Sequence, residues 1–175
     1  MESHIQTAGI SDAPAIAAVI RSAFLPVARR FNLTPGNCPR HPSNATTDWV
    51  RADMDRGIRY DLLTVYGRPT GCVGLEIPEP GLAYMERLSV RPSAQGHGYG
   101  RALVTHFLRQ AAAAEATRIS IGIIADQREL GRWYAQFGFI ETGRRRFDHL
   151  PFEVAFMSKA MRMGRPLPPD QEYLP

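Results

Sequence analysis

The stretch Leu88-Ser89-Val90-Arg91-Pro92-Ser93-Ala94-Gln95-Gly96-His97-Gly98-Tyr99-Gly100-Arg101-Ala102-Leu103 carries the most chemistry in this chain. An apolar strand enters a glycine-dense turn and leaves it as a helix. Glycines at 96, 98 and 100 let the backbone approach a ligand with its amides turned outward. A helix start adds about half a positive charge behind those amides, so the natural guest is a phosphate. Two common nucleotide loops do not fit: no Gly-Lys-Ser/Thr follows the spacers, and Arg101 stands where a dinucleotide fingerprint needs its last glycine.

Glu86 is the second candidate. On a strand over Leu82–Val90 it shares the alternate face with Leu82, Tyr84, Leu88 and Val90, an apolar row where a carboxylate demands a reason. Partial burial would raise its pKa towards that of a general base. The competing reading is an ion pair with Arg59 or Arg68 on a neighbouring strand. Cys38 and His41 lie three apart, but Cys72 is isolated and His149 distant, so no metal site is expected.

The elements that must position these groups follow from periodicity and punctuation. Ser11 ahead of Pro14 predicts an N-capped helix over about 12–24. Residues 31–42 hold three prolines and read as a loop; Ser43 then caps a second helix ending near Gly57. Tyr60–Tyr66, Thr70–Ile77 and Leu82–Val90 alternate as a three-strand meander. Leu103, Val104, Phe107, Leu108 and Ala111 share one helical face, and Arg118–Ile124 is an apolar strand. Asp126 and Glu129 form a capping box for a helix striped by Leu130, Trp133, Tyr134 and Phe137, which Gly138 ends. Strands near 139–147 and 152–160 close a mixed α/β (α+β) domain over 1–161, with a Pro-rich tail over 162–175.

Composition narrows the partners. The 175 residues are 44% hydrophobic and 22% charged, a globular balance and a length suited to one domain. Twenty-one basic residues against 17 acidic ones give a net charge of +4, and only Lys159 is a lysine, which suggests an anionic ligand. The arginines are scattered from Arg21 to Arg165 without a stripe of stacking aromatics, so nucleic acid is not expected. Arg144-Arg145-Arg146 reads as a solvated face. Two cysteines make no disulfide framework, which points to the cytoplasm. No signal peptide is visible, and the apolar run Ala13–Ile20 falls short of the roughly 20 residues that span a bilayer.

Gln95-x-x-Gly98-x-Gly100, preceded by Leu88-x-Val90-x-Pro92 and followed by Tyr134-x-x-x-Gly138-Phe139, resembles the signature of the GNAT superfamily of acetyl-coenzyme A-dependent N-acetyltransferases. The likeness spans most of residues 5–160. It implies a mostly antiparallel central sheet with a splayed central strand pair, flanked by about four helices. By that likeness the amides of Gln95, Gly96, His97, Gly98, Tyr99, Gly100 and Arg101 would hold the coenzyme pyrophosphate. The edge of Leu88, Ser89 and Val90 would pair with the pantetheine arm. The thioester would enter the gap between Val90 and Ile123, with Gln127 and Trp133 flanking the coenzyme. Many members have Asn where this chain has Gln127. Arg101 and Arg91 would neutralise phosphate or remain solvated.

The resemblance also implies catalytic roles. Tyr134 stands where the family commonly has a tyrosine that protonates the leaving thiolate, although it belongs to the apolar stripe as well. A primary amine is only about 0.1% neutral at pH 7, a penalty of roughly 4 kcal/mol, so a base is useful, and Glu86 is its candidate with His149 in reserve. The acceptor pocket would be walled by residues 31–42, with Asn37 and His41, and by Asp148–Phe152. The expected reaction moves acetyl from acetyl-CoA to an amine of a small molecule or peptide by direct attack. A protein N-terminal or lysine acetyltransferase and a non-catalytic acyl-CoA sensor are the alternatives; no membrane partner is expected, and a homodimer is left open.

Overall fold

The computed structural model describes residues 2–162. Seven strands form one mixed sheet in the order β1-β2-β3-β4-β5-β7-β6. They are β1 (Ser3–Thr7), β2 (Arg59–Val65), β3 (Arg68–Glu79), β4 (Leu82–Val90), β5 (Arg118–Ile124), β6 (Ile140–Arg146) and β7 (Glu153–Ala160). Four helices flank it: α1 (Ala13–Arg30), α2 (Thr47–Asp55), α3 (Tyr99–Ala113) and α4 (Arg128–Ala135). Every strand pair is antiparallel except β4–β5, which joins only Leu82–Tyr84 to Arg118–Ser120.

Each sheet face has its own core. Ile16, Val19 and Ile20 of α1 and Val50 of α2 pack with Ile58, Tyr60 and Leu62. On the other face Leu103, Val104, Phe107 and Ala111 of α3 pack with Val73, Met85, Ile119, Ile121 and Phe139. A third cluster of Ala28, Leu33, Cys38 and Ile124 fastens the 31–42 loop to the end of β5.

Several local expectations are corrected. Strand β1 carried no alternating apolar signal because four of its five residues are exposed at the sheet edge. Ser11 does not cap α1; a 3-10 turn over Ile10–Asp12 precedes it, with Gly9 N donating to Asp12 Oδ2 at 2.8 Å. Helix α1 runs through Pro26 to Arg30 rather than stopping near 24. The lost bond there costs about 3 kcal/mol, which burial of Ile16, Val19, Ile20 and Ala28 offsets. By length and composition, Ile10–Arg30 is also long and apolar enough to cross a membrane. In this fold Ala13, Ile16, Ala17, Val19 and Ile20 of that segment are buried in the core.

The cap of α2 is Thr46, whose Oγ1 accepts from Trp49 N at 3.1 Å, while Ser43 sits in the turn Pro42–Asn44 beside His41 Nδ1. The N-cap of α4 is Gln127 rather than Asp126, with no side-chain capping bond among the described residues, and Glu129 pairs with Arg30 instead. The proposed tail from 162 onward lies outside the described residues, apart from Arg162 itself.

Candidate active site

The site begins where β4 and β5 part. After Tyr84–Ser120 their pairing ends: β4 stays with β3 to Val90–Gly71, and β5 stays with β7 to Ile124–Val154. Among the described residues, the β4 edge from Met85 to Val90 therefore has no strand partner on that side. A cleft of about 1200 Å³ opens between the two strands and runs from the α3 start to α1.

At one end lies the glycine turn. Gly96 and Gly98 have φ of +82° and +81°, a region in which a side chain would be strained. Gly98 caps α3, and the first bond within the helix runs from Ala102 N to Gly98 O at 3.0 Å. The amides of Gly98, Gly100 and Arg101 precede that bond and sit at the positive end of a 15-residue helix. Gln95 Nε2 donates to Val90 O at 3.1 Å, tying the turn to the end of β4. Arg101 stacks on Phe137 at 4.9 Å and donates to Gln136 Oε1 at 3.0 Å. Arg91 instead spends its Nε on Pro69 O at 2.8 Å.

Midway along the cleft stand Glu86 and Tyr134, both on its lining. Burial pushes the Glu86 carboxyl above the usual carboxylate range; Glu76 adds to this and Arg56 opposes it. The expected alternative, an ion pair with Arg59 or Arg68, is absent among the described residues. Arg59 lies 3.8 Å from Asp61 and donates to Gln110 Oε1 at 2.8 Å. Tyr134 is 7% exposed, with its ring edge-on to Trp133 and Phe139 at 5.0 and 5.6 Å. Burial pushes its phenol up, and its hydroxyl has no hydrogen-bond partner among the described residues.

The face reading around Glu86 needs correction. Arg87 adopts φ +49°, and two residues of β4 stand against Val73 alone, which makes a β-bulge. Leu88 and Val90 thereby turn to the α3 face with Met85, while Glu86 stays on the α1 face, near Gly74, Ile58 and Tyr60. The bulge is held from below. Arg87 pairs with Asp53 and donates to Tyr60 Oη at 2.7 Å, and its guanidinium lies 4.8 Å over Trp49. Asp53, 1% exposed, also accepts from Arg56 at 2.6 Å and Tyr60 at 2.9 Å.

The far end is walled by Ala23, Phe24, Pro26 and Val27 of α1, by Arg40, His41 and Pro42 of the loop, and by Phe152, Val154 and Phe156. His41 is buried edge-on to Phe24, and burial pulls its pKa down.

Of the residues singled out from sequence, Glu86, Tyr134, Leu88, Val90, Gln95, Gly96, Gly98, Tyr99, Gly100, Arg101, Ile123, Gln127, Trp133 and His41 line this one cleft. Four do not. Ser89 is 2% exposed with its hydroxyl on Arg87 O at 2.8 Å. The His97 ring lies at the Gln95 carbonyl, 3.0 Å away. Asn37 closes its own loop, accepting from Thr34 N at 2.7 Å and donating to Asn32 O at 2.9 Å. His149 is exposed beside Phe147, away from the cleft. The Asp53–Arg87–Tyr60 network has no signal in the sequence, since only the bulge and tertiary packing bring those residues together. No cluster suited to a metal ion occurs among the described residues.

Comparison with known proteins agrees with this fold. Residues 28–139 match the model of the acetyltransferase (GNAT) family. No curated protein sequence matches the chain. Among solved structures, the ribosomal-protein-S18-alanine N-acetyltransferase from Escherichia coli superposes with a TM-score of 0.74 at 17% identity, covering 94% of this chain and 97% of that one. An N-acetyltransferase from Staphylococcus aureus Mu50 gives 0.70 at 19%, covering 91% and 99%. The yncA protein from Salmonella typhimurium, solved with its cofactor acetyl-CoA, gives 0.68 at 20%, covering 98% and 99%.

Proposed function

Because this chain belongs to the acetyltransferase (GNAT) family, whose acetyl donor is acetyl-CoA, we propose that it moves an acetyl group to the amine of a small molecule or peptide by direct attack. The observation that carries the reading is the cleft itself. One continuous opening joins a phosphate-suited helix start, a strand edge and phenol that are unpartnered among the described residues, and a half-buried carboxyl.

In this reading the pyrophosphate rests on the 95–101 turn, and the pantetheine arm adds to the free β4 edge. The thioester then lies between Val90 and Ile123. The amine approaches from the α1 end and gives its proton to Glu86, directly or through one water. Its nitrogen bonds to the thioester carbon, the C–S bond breaks, and the Tyr134 hydroxyl protonates the departing thiolate. The raised Glu86 pKa brings the base closer to the operating pH, where proton transfer is most effective. The two cysteines are free and buried, in keeping with the cytoplasmic location we propose.

Thiol release from acetyl-CoA across a panel of amines and short peptides tests the reading. Amine-dependent release, together with saturable binding of CoA by calorimetry, is expected. A protein that binds neither acetyl-CoA nor CoA overturns it.

A further inference from the structure

The charged groups on the cleft divide into two ends. Arg101 and Glu129 belong to the coenzyme side, and each is engaged, Arg101 with Gln136 and Glu129 with Arg30. The acceptor side holds Glu86, Arg87 and Arg40. Glu86 is reserved for the amine in the reading above, and the Arg87 guanidinium is tied to Asp53 and Tyr60. That leaves Arg40 as an acceptor-side cation with no ion pair or hydrogen bond among the described residues.

Arg40 is exposed, but its backbone is fixed over the cleft. Cys38 before it and His41 after it are buried, at 3% and 6% exposure. Asn44 Nδ2 donates to the carbonyls of Cys38 and Pro39 at 3.2 and 3.3 Å, and His41 N donates to Cys38 O at 3.0 Å. The field of Arg40 also reaches Arg87: burial first, and then the charge of Arg40, pull the Arg87 pKa down to about 10. Arg40 and Arg87 line the same end of the cleft, and with Arg87 already paired to Asp53, a bound anion there gains its forked partner from Arg40. Phe24, Val27 and Phe152 supply apolar wall on the same cleft.

We infer that the acceptor is a small amine carrying an anionic group, its nitrogen at Glu86 and its anion at Arg40, beside Arg87. The inference rests on the acetyltransferase reading and deepens it by naming the substrate class. Arg40 acts here in binding and specificity, since it reaches the acceptor rather than the reacting atoms.

Amines paired to differ by a carboxylate test it: n-propylamine against γ-aminobutyrate, and phenethylamine against phenylalanine. Short peptides with Glu or Gln in second place form a third arm, which separates a free anionic amine from an anion carried by a peptide. Each pair differs in amine basicity too, so the effect of Arg40→Ala on the ratio within a pair decides the matter. The wild type is expected to use a carboxylated member with kcat/KM about tenfold or more above its partner, the scale of one charge-assisted hydrogen bond. Arg40→Ala should raise KM for that member and erase the preference, and Arg40→Lys should keep part of it. Equal use of both members, an equal loss of both in Arg40→Ala, or a preference confined to the peptide arm overturns the inference. Calorimetry with the same pairs on the CoA-saturated protein separates the two readings. Carboxylate-selective binding that Arg40→Ala abolishes upholds the anion site even if no amine is turned over, and equal or absent binding of the carboxylated members overturns it.

Discussion

Replacing Asp53 by Asn probes the device that shapes the catalytic strand. The carboxylate is 2% exposed and receives Arg87, Arg56 and the Tyr60 hydroxyl. Asparagine keeps the shape, removes the charge, and turns an amide donor towards donors. Arg56 is more than half exposed, so the loss of its pair costs next to nothing. Arg87 is different: its side chain is only 12% exposed, and it is left without a counter-charge. Removing one partner of a buried pair costs about 3–5 kcal/mol. The low end applies, because the Tyr60 oxygen still accepts from Arg87. A loss of about 3 kcal/mol in a chain of this size lowers Tm by roughly 6–12 °C. Urea unfolding read by tryptophan fluorescence and circular dichroism measures the change. The double variant Asp53→Asn/Arg87→Met should recover at least half of it, since no unpaired charge stays buried. The φ of +49° at Arg87 is strain that persists only while its surroundings hold it, so the single variant should also lower kcat/KM as Glu86 shifts. A single-variant loss under about 1 kcal/mol, or losses that add in the double variant, would refute the reasoning.

Further outcomes are expected. Glu86→Gln should lower kcat/KM by about 10²–10⁴-fold and flatten the low-pH limb of the rate profile, because a base with a raised pKa must first ionise as pH rises; an unchanged limb assigns the proton to another acceptor. Tyr134→Phe should cut kcat by about 10²-fold while the KM for acetyl-CoA stays constant, and unchanged turnover across the pH range removes the acid role. Asp61 on β2 titrates in the opposite sense to Glu86. Burial pushes its carboxyl up, but contacts from His106 (Nε2 3.1 Å away), Thr7 and Arg59 outweigh this and hold it below the usual range. Its stabilising contribution is therefore complete above the unfolded pKa, near 3.9, and is lost as pH falls through the folded value. Asp61→Asn should flatten the acid limb of the stability curve, and a parallel limb in the variant would contradict that account.

The sequence by itself determined the parts whose signal is local. Glycines at 96 and 98 announce a turn needing positive φ, and the strands from 59 to 90 announce themselves by alternation. Together with Gln95 and the stripe around Tyr134, they carried the family resemblance and most of the cleft lining. What local pattern lacks is phase and partnership across the sheet. A period of two predicts one face for Tyr84, Glu86, Leu88 and Val90, but one extra residue at Arg87 reverses the phase after Glu86. Nothing in the spacing of Asp53, Tyr60 and Arg87 foretold their network, because those residues meet only when α2 packs beneath β4. Arg40 likewise looked like one arginine among many until the loop that carries it was fixed over the cleft. Tertiary structure alone decided these points, because the groups that give each residue its role lie in distant segments of the chain, as the partners of buried Asp53 do.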